Sequence, residues 1–382
     1  MKIAHVEPLW VQPGSASEPG WVFVKVTTDT GLVGWGEALG EHGLIMSAAV
    51  SRYGAAILGE DPERVVHLWQ SMYRGSVWRG GPVLNGAYSG IEMALWDIKG
   101  KALGVPVWQL LGGRVRDRIR AYAHARGGTP DIAAAHARSL VAQGYTAVKH
   151  PPADASHSLD SYRVIRDGAE RVRAIRDAVG PDIDVMLDFH GMFSPAMSVL
   201  MEQEVRQFKP FFIEEPVLPH NTPELARLSA KFITPIATGE RLFTRWDFRT
   251  LLESGAASVV QPDPAVCGGI FELRQIAAMA EAYNVGLAPH NALGPISTAA
   301  ALQIAACTPN FIIQEITRPE ALGEGGYLRN PFVVDEGFIA IPDQPGLGID
   351  VDEEFLASIP YTGPEPIAAL WHHPADGTVV EP

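Results

Sequence analysis

Between residues 185 and 315 the sequence repeats a short apolar run that ends in a side chain able to bind metal or move a proton. The runs are VMLDFH, ending at Asp188 and His190; FFIEEP, at Glu214; PIATGE, at Glu240; SVVQPD, at Asp263; VGLAPH, at His290; and FIIQE, at Glu315. From Asp188 onward the steps are 26, 26, 23, 27 and 25 residues. A period of about 25 residues is one strand plus one helix of a (β/α) barrel, a fold whose chemistry sits at the C-terminal ends of its strands. The repeat therefore predicts both an architecture and an active-site face.

Composition narrows the function classes. The 382 residues carry a formal net charge of −14 with no Lys/Arg-rich block, which argues against a nucleic-acid partner. Charged residues make up 19% and hydrophobic residues 47%, enough apolar material for a sizeable core. Two cysteines, Cys267 and Cys307, imply no disulfide framework and fit a reducing compartment. No stretch reaches the roughly 18 apolar residues of a membrane span, and the N-terminal MKIAHVEPLW has no uninterrupted apolar core of a signal peptide. A cytoplasmic protein without a membrane partner is expected.

The first hundred residues differ in texture. GWVFVKVTTDTGLVGWGEA alternates around Asp29-Thr30-Gly31, predicting an antiparallel hairpin with Val22, Val24 and Val26 on one face. The segment from Gly86 to Leu103 has helical spacing and stops at Gly104 and Pro106. Strands followed by helices without βαβ alternation indicate a separate α+β unit. We divide the chain into 1–117, an α+β unit; 118–322, the barrel; and 323–382, a Pro/Gly-containing tail with Pro360 and Pro364 that returns over the first unit. RIRAYAHA is the expected first barrel strand and YTAVKH, ending near Lys149, the second. The 39 residues from Lys149 to Asp188 exceed the other steps, so PPADASHSLDSYR is expected to be a loop over the barrel mouth. Gly34-Trp35-Gly36 and Gly323-Glu324-Gly325 are expected to be turns.

Asp188, Glu214 and Glu240 arrive from three successive strand ends and should converge. Three hard oxygen ligands without cysteine suit Mg2+. Because side chains alternate along a strand, Glu214 and Glu215 point opposite ways and only one can be a ligand. His290 and Asp263 end adjacent strands, and a carboxylate on one ring nitrogen makes the other a general base. His190 is either a second proton-transfer group or a residue that orients Asp188. Lys149 is either a contact for a substrate carboxylate or a solvated strand-end lysine. His124 reads as structural, Trp78 and Arg79 as packing or recognition in the first unit, and His372 with His373 as an unlikely pair of metal ligands.

The series LDFHG, FIEEP, TGERLF, QPD, APHNALGP and QE, with ALWDIKGKALGVPVWQLLGGRVRD before it, resembles the enolase superfamily, mandelate racemase subgroup. Within it the chain is most similar to sugar-acid dehydratases, galactonate dehydratases among them. The resemblance implies a (β/α)7β modified TIM barrel with an N-terminal α+β capping domain and Mg2+ on Asp188, Glu214 and Glu240. It implies a His290/Asp263 base, His190 as general acid, and Glu315 as a hydrogen-bonding or electrophilic partner of the substrate carboxylate. It also implies a homo-oligomer acting on a small sugar acid. A cation on the carboxylate stabilises the charge that proton abstraction creates. Glu315 could donate only if its pKa were raised.

Racemases of the subgroup carry Lys-X-Lys after the second strand, whereas this chain has Lys149-His150-Pro151. With one base missing, dehydration of a linear aldonate to a 2-keto-3-deoxy acid is favoured over racemisation. An epimerase or cycloisomerase using the same enediolate is the alternative; a non-catalytic barrel is disfavoured, because no metal or dyad position is damaged. Galactonate dehydratases place asparagine where Pro151 stands, and proline offers no side-chain hydrogen bond, so the sugar itself stays open.

Overall fold

A computed structural model describes residues 1–13, 20–154, 156–363, 372–373 and 375–381. Pro364 of the tail and Ala155 of the long loop lie outside the described residues. The first unit is an antiparallel sheet of β1 (Ile3–Val11), β2 (Trp21–Thr28) and β3 (Val33–Ala38), followed by α1 (Gly43–Ala56), α2 (Val65–Arg74), α3 (Gly81–Leu103) and the short α4 (Val107–Leu110). β2 and β3 form the expected hairpin, with Val22, Val24 and Val26 all buried. α3 ends at Gly104, whose φ of 69° is the left-handed conformation of a helix stop.

Gly34 and Gly36 are not turn residues. They lie inside β3, where an added Cβ on Gly36 would sit 1.8 Å from the Gly90 carbonyl oxygen and one on Gly34 would sit 2.1 Å from that of Ala94. Their lack of a side chain lets the sheet pack directly on α3. The alternation that predicted a strand was right, and the glycines mark a close approach rather than its end.

The barrel alternates β4 (Arg118–His124), α5 (Pro130–Ala142), β5 (Ala147–His150), α6 (Tyr162–Val179), β6 (Asp184–Asp188), α7 (Pro195–Val205), β7 (Ile213–Glu214), α8 (Thr222–Ser229), β8 (Ile236–Thr238), α9 (Thr244–Ser254), β9 (Val259–Val260), α10 (Ile270–Ala282), β10 (Gly286–Leu287), α11 (Pro295–Cys307) and β11 (Gln314–Ile316). Adjacent strands from β4 to β10 pair in parallel, β11 pairs with β4, and a parallel bridge from Leu287 to Phe311 links β10 to the chain entering β11. Eight strands with seven intervening helices, counted among the described residues, make a (β/α)7β barrel. Its interior is filled by Tyr122, Ala147, Met186, Phe212, Ala237, Val259, Ala288 and Ile313, contributed by strands all round the ring. Among the described residues no helix is long and apolar enough to cross a membrane.

The chain after residue 322 divides its contacts. β12 (Val334–Asp335) and β13 (Phe338–Ala340) form a hairpin, and β13 pairs antiparallel with β4 at the barrel's lower edge. Pro360 then bridges Val11 and Tyr361 stacks on Trp10 of the first unit. Residues 372–373 and 375–381 reach back to the loop after β5, where His373 meets Asp160. α12 (Glu353–Ser358) lies between these crossings.

Two buried carboxylates of the first unit cap barrel helices. Glu92 of α3 accepts from the backbone N–H of Ile270 and Phe271 at the start of α10 (2.8 and 2.9 Å), and from Trp96 Nε1 at 2.7 Å. Glu37 of β3 accepts from Gly294 and Ser297 at the start of α11 (2.6 and 2.8 Å). Each thereby satisfies helix N–H groups that have no partner within the helix. α10 and α11 follow Asp263 and His290, so the first unit anchors the two segments that carry the candidate dyad.

Burial pushes the Glu92 carboxyl up from 4.5 to about 8, against hydrogen bonds from Phe271, Ile270 and Trp96 that favour its charged form. The unfolded chain releases this proton near 4.5 and the folded chain near 8, so the folded state holds the extra proton in between. Stability therefore falls as pH rises through that window. Glu92→Gln has no proton to lose, so thermal melts should show the difference in Tm between variant and parent moving in the variant's favour from about pH 4.5 to about pH 8. A difference independent of pH would contradict this assignment.

Candidate active site

Every residue of the repeat lies at the C-terminal end of a barrel strand. Asp188 ends β6, Glu214 ends β7, Glu315 lies in β11, and Glu240, Asp263 and His290 follow β8, β9 and β10 within three residues. The side chains from these positions meet, but not as one symmetrical cluster.

Lys149, at the end of β5, occupies the centre. It is 2% exposed, and its Nζ lies 2.7 and 2.8 Å from the two Glu214 oxygens, 2.6 Å from Glu315 Oε1 and 3.3 Å from Asp188 Oδ2. The reading of Lys149 as a solvated strand-end lysine is thus overturned. Burial alone would lower its pKa; Glu214 and then Glu315 outweigh that and hold it well above the ordinary lysine range. Glu214 is completed by Gln261 Nε2 at 2.8 Å. Glu315 accepts from the Asn291 backbone N–H at 2.8 Å and lies 2.6 Å from His124 Nε2.

Glu315 departs from the sequence reading. Burial opposes its charge, but Lys149 and His290 hold the carboxyl well below its ordinary range. It is an acceptor here, whereas the expected hydrogen-bond donor required a raised pKa. The cause is the lysine that sequence reasoning left with two possible places.

Asp188, Glu214 and Glu240 were expected to converge on one point, and Asp188 and Glu240 both act on the Glu214 charge, each of the three with its own basic neighbours. Lys149 Nζ stands between Asp188 and Glu214, while Glu240 Oε2 is 3.6 Å from His290 Nε2 and its Oε1 3.7 Å from His190 Nε2. Glu240 is held down at about 2: burial would raise it, but His290 and then His190 lower it. Glu215 points away from Glu214, as alternation required, and pairs with Arg241 and Thr238. The donor set suits Mg2+. Asp188, Glu214 and Glu315 gather around one lysine with Glu240 beside them, and burial and then the Asp188 charge push the Glu214 carboxyl well above its ordinary range. Hard oxygens with surplus negative charge are what that ion takes.

His290 Nδ1 is 2.8 Å from Asp263 Oδ2, and Asp263 Oδ1 accepts from Ala265 N–H at 2.7 Å. Asp263 therefore fixes the ring and leaves Nε2 facing the mouth. Burial lowers the proton affinity of His290, but Glu240, Glu315 and Asp263 together raise it well above the ordinary histidine value. His190 follows β6 with a positive φ of 49°, its backbone N–H donating to Asp188 Oδ1 at 2.9 Å and its carbonyl accepting from Arg241 at 3.2 Å. This left-handed turn keeps the imidazole next to the carboxylates. Trp78 is 84% exposed and Arg79 lies over Tyr73, both in the first unit.

A cavity of about 320 Å³ opens between His124, Lys149, Pro151, Asp188, His190 and Met192. Next to it, beyond Gly191 and Met192, lies a larger one of about 760 Å³ walled by the loop after β5, the starts of α7 and α8 and the tail. The first carries the strand-end groups Lys149 and Asp188 together with His190; the second shares only Met192 with it.

His124 belongs to the site, contrary to its reading as structural. It ends β4 as Lys149 ends β5, and the 25 residues between them repeat the spacing found after Asp188. Extending the repeat two steps toward the N-terminus would have found it. Gln261 and Asn291, one on each side of the Asp263–His290 pair in sequence, carried no such signal.

A closed parallel barrel with acids, a lysine and paired imidazole at its strand ends defines a barrel enzyme. The family model "Enolase C-terminal domain-like" matches residues 132–355, and "Mandelate racemase / muconate lactonizing enzyme, N-terminal domain" matches 2–112. The chain belongs to this enolase superfamily group. It is 43% identical over 370 residues to a D-galactonate dehydratase of Ralstonia pickettii (strain 12J), covering 95% of this chain and 97% of the relative. It is 41% identical to one of Cronobacter sakazakii (strain ATCC BAA-894) over the same shares. A crystal structure of an enolase superfamily member from Salmonella Typhimurium matches with a TM-score of 0.89 at 33% identity, covering 94% of this chain and 98% of that one. A mandelate racemase/muconate lactonizing enzyme from Sulfitobacter sp. matches at 0.89 and 35%, covering 95% and 96%.

Removing the buried cation tests the geometry directly. Lys149→Met should cost about 3–5 kcal/mol in denaturant unfolding without divalent cations, because it strands buried carboxylates. Added Mg2+ should recover part of that loss. A cost below about 1 kcal/mol would show that Lys149 does not balance the cluster.

Proposed function

We propose that the chain dehydrates a linear sugar acid, a galactonate-like aldonate, to the 2-keto-3-deoxy acid in a Mg2+-dependent reaction. Asp188, Glu214 and Glu240 would hold the ion, which when bound stabilises negative charge on the substrate carboxylate. His290 removes the C2 proton while Asp263 holds its ring. His190 protonates the C3 hydroxyl as it leaves, and the enol that remains tautomerises to the keto acid. Lys149 supplies the positive charge for the substrate carboxylate, and Glu315 holds that lysine in place.

The observation that carries this reading is the pair of imidazoles on opposite oxygens of Glu240, His290 at 3.6 Å and His190 at 3.7 Å. His290 carries the Asp263 carboxylate on its Nδ1 at 2.8 Å, which supports its role as the base. The relatives named D-galactonate dehydratase support the reaction type. An epimerase needs a second base, and Lys149 is a poor one: Glu214 and Glu315 hold its proton. Pro151 in the cavity wall removes a side-chain hydrogen bond from the substrate's neighbourhood, so the preferred aldonate is set by other groups.

A library of aldonic and aldaric acids assayed with Mg2+ for 2-keto-3-deoxy product should yield one class of active aldonates, and His290→Asn should reduce turnover by about 10²–10⁴-fold or more. Exchange of the C2 proton without keto acid would replace dehydration by epimerisation; conversion of no acid would end the substrate assignment.

A further inference from the structure

A second cluster of ligand-type side chains lies outside the barrel mouth and plays no part in the chemistry above. His157 and Asp160 belong to the loop after β5, and His373 to the tail. One donor atom from each lies within 4.8 Å of the others, and among the described residues this is the group of three His/Cys/Asp/Glu side chains so arranged. His373 Nε2 is 3.0 Å from Asp160 Oδ2 and His157 Nε2 is 3.1 Å from Asp376 Oδ2. The two imidazoles stack with centroids 3.9 Å apart.

Sequence reading considered only His372 with His373, as neighbours, and that pair is not a site: His372 Nδ1 faces the Gly377 carbonyl at 3.0 Å. The partners of His373 are instead 213 residues away in the chain.

We propose that His157, Asp160 and His373 bind a first-row transition dication of the Zn2+ class, with Asp376 at its rim, and that the ion fastens the C-terminal tail to the loop over the barrel mouth. Three observations carry this. The donors mix two imidazoles with carboxylate, the set that prefers Zn2+, Co2+ or Ni2+ to Mg2+. The Asp160 and His373 side chains are only 11% and 12% exposed, while His157 at 31% and Asp376 at 52% face solvent, so the cluster has a buried floor and an open rim. The His373–Asp160 N···O separation of 3.0 Å is close to the roughly 3.3 Å between neighbouring ligands on a tetrahedral Zn2+ with bonds of about 2.0 Å, and a His157 donor atom lies within 4.8 Å of both. Asp160 and Asp376 together supply the two negative charges that balance a dication.

The position gives the ion a consequence. His157 also lines the 760 Å³ cavity, whose far wall includes Thr378, Val379 and Glu381 of the same tail. Bound metal would hold both walls of that cavity together; without it they are joined by hydrogen bonds that need a proton on each imidazole.

Chelator-stripped protein in excess Mg2+ should bind one equivalent of Co2+ by equilibrium dialysis, with the visible absorption bands of an imidazole-ligated ion. The double variant His157→Gln/His373→Gln should lose that equivalent, and Asp188→Asn, which alters only the barrel mouth, should keep it. Asp376→Asn should weaken it by about tenfold or more. Zn2+ should protect the tail from proteolysis in the parent and not in the double variant. Should the double variant fail to fold, Asp160→Asn serves in its place. The proposal is overturned if no Co2+ binds beyond Mg2+ competition, or if the ligand variants bind it as the parent does. None of these measurements depends on the sugar-acid reaction.

Discussion

One buried ammonium sits at the centre of a ring of carboxylates. Lys149 Nζ contacts Glu214, Glu315 and Asp188 within 3.3 Å, and the lysine and Glu214 and Glu315 are almost wholly buried. Charges taken out of water are tolerated only when paired and hydrogen-bonded, and the surrounding residues meet that demand: Gln261 on Glu214, and the Asn291 backbone with His124 on Glu315. The arrangement keeps Glu315 an acceptor, keeps Lys149 charged, and leaves Glu240 to the two histidines. The proposed division of the mouth into a carboxylate-binding end and a proton-transfer end follows from where that lysine stands.

The first unit supports this ring at a distance. Glu37 and Glu92 reach across to the starts of α11 and α10, the helices that leave the segments bearing His290 and Asp263. Helix N-termini carry unpaired N–H groups, so two buried carboxyl groups that accept from them fix the two helices without touching the barrel-mouth groups. A small motion of the first unit would therefore be felt at the Asp263–His290 pair through the backbone.

The barrel was legible because its period survives in sequence: one polar strand-end group about every 25 residues, from Asp188 to Glu315. Alternation likewise separated Glu214 from Glu215. The depth of Lys149 was not legible, since a lysine's burial depends on neighbours brought from β7 and β11. His124 could have reached the mouth from the end of its strand but was read as structural, although it stands one repeat before Lys149. Gly34 and Gly36 looked like turn residues because closeness to a helix leaves the same mark as a reversal. The His157, Asp160 and His373 cluster had no sequence signal, because its members lie in an irregular loop and a distant tail.

The account assigns proton abstraction to His290 and departure of the hydroxyl to His190, two steps that one variant can separate. His190→Ala, incubated in deuterium oxide with the preferred aldonate and Mg2+, should still exchange the C2 proton while keto-acid formation falls by about 10²-fold or more. The deuterium content of recovered substrate and the yield of keto acid report the two steps independently. Loss of C2 exchange in His190→Ala, with exchange persisting in His290→Asn, would contradict the assignment and reverse the two roles.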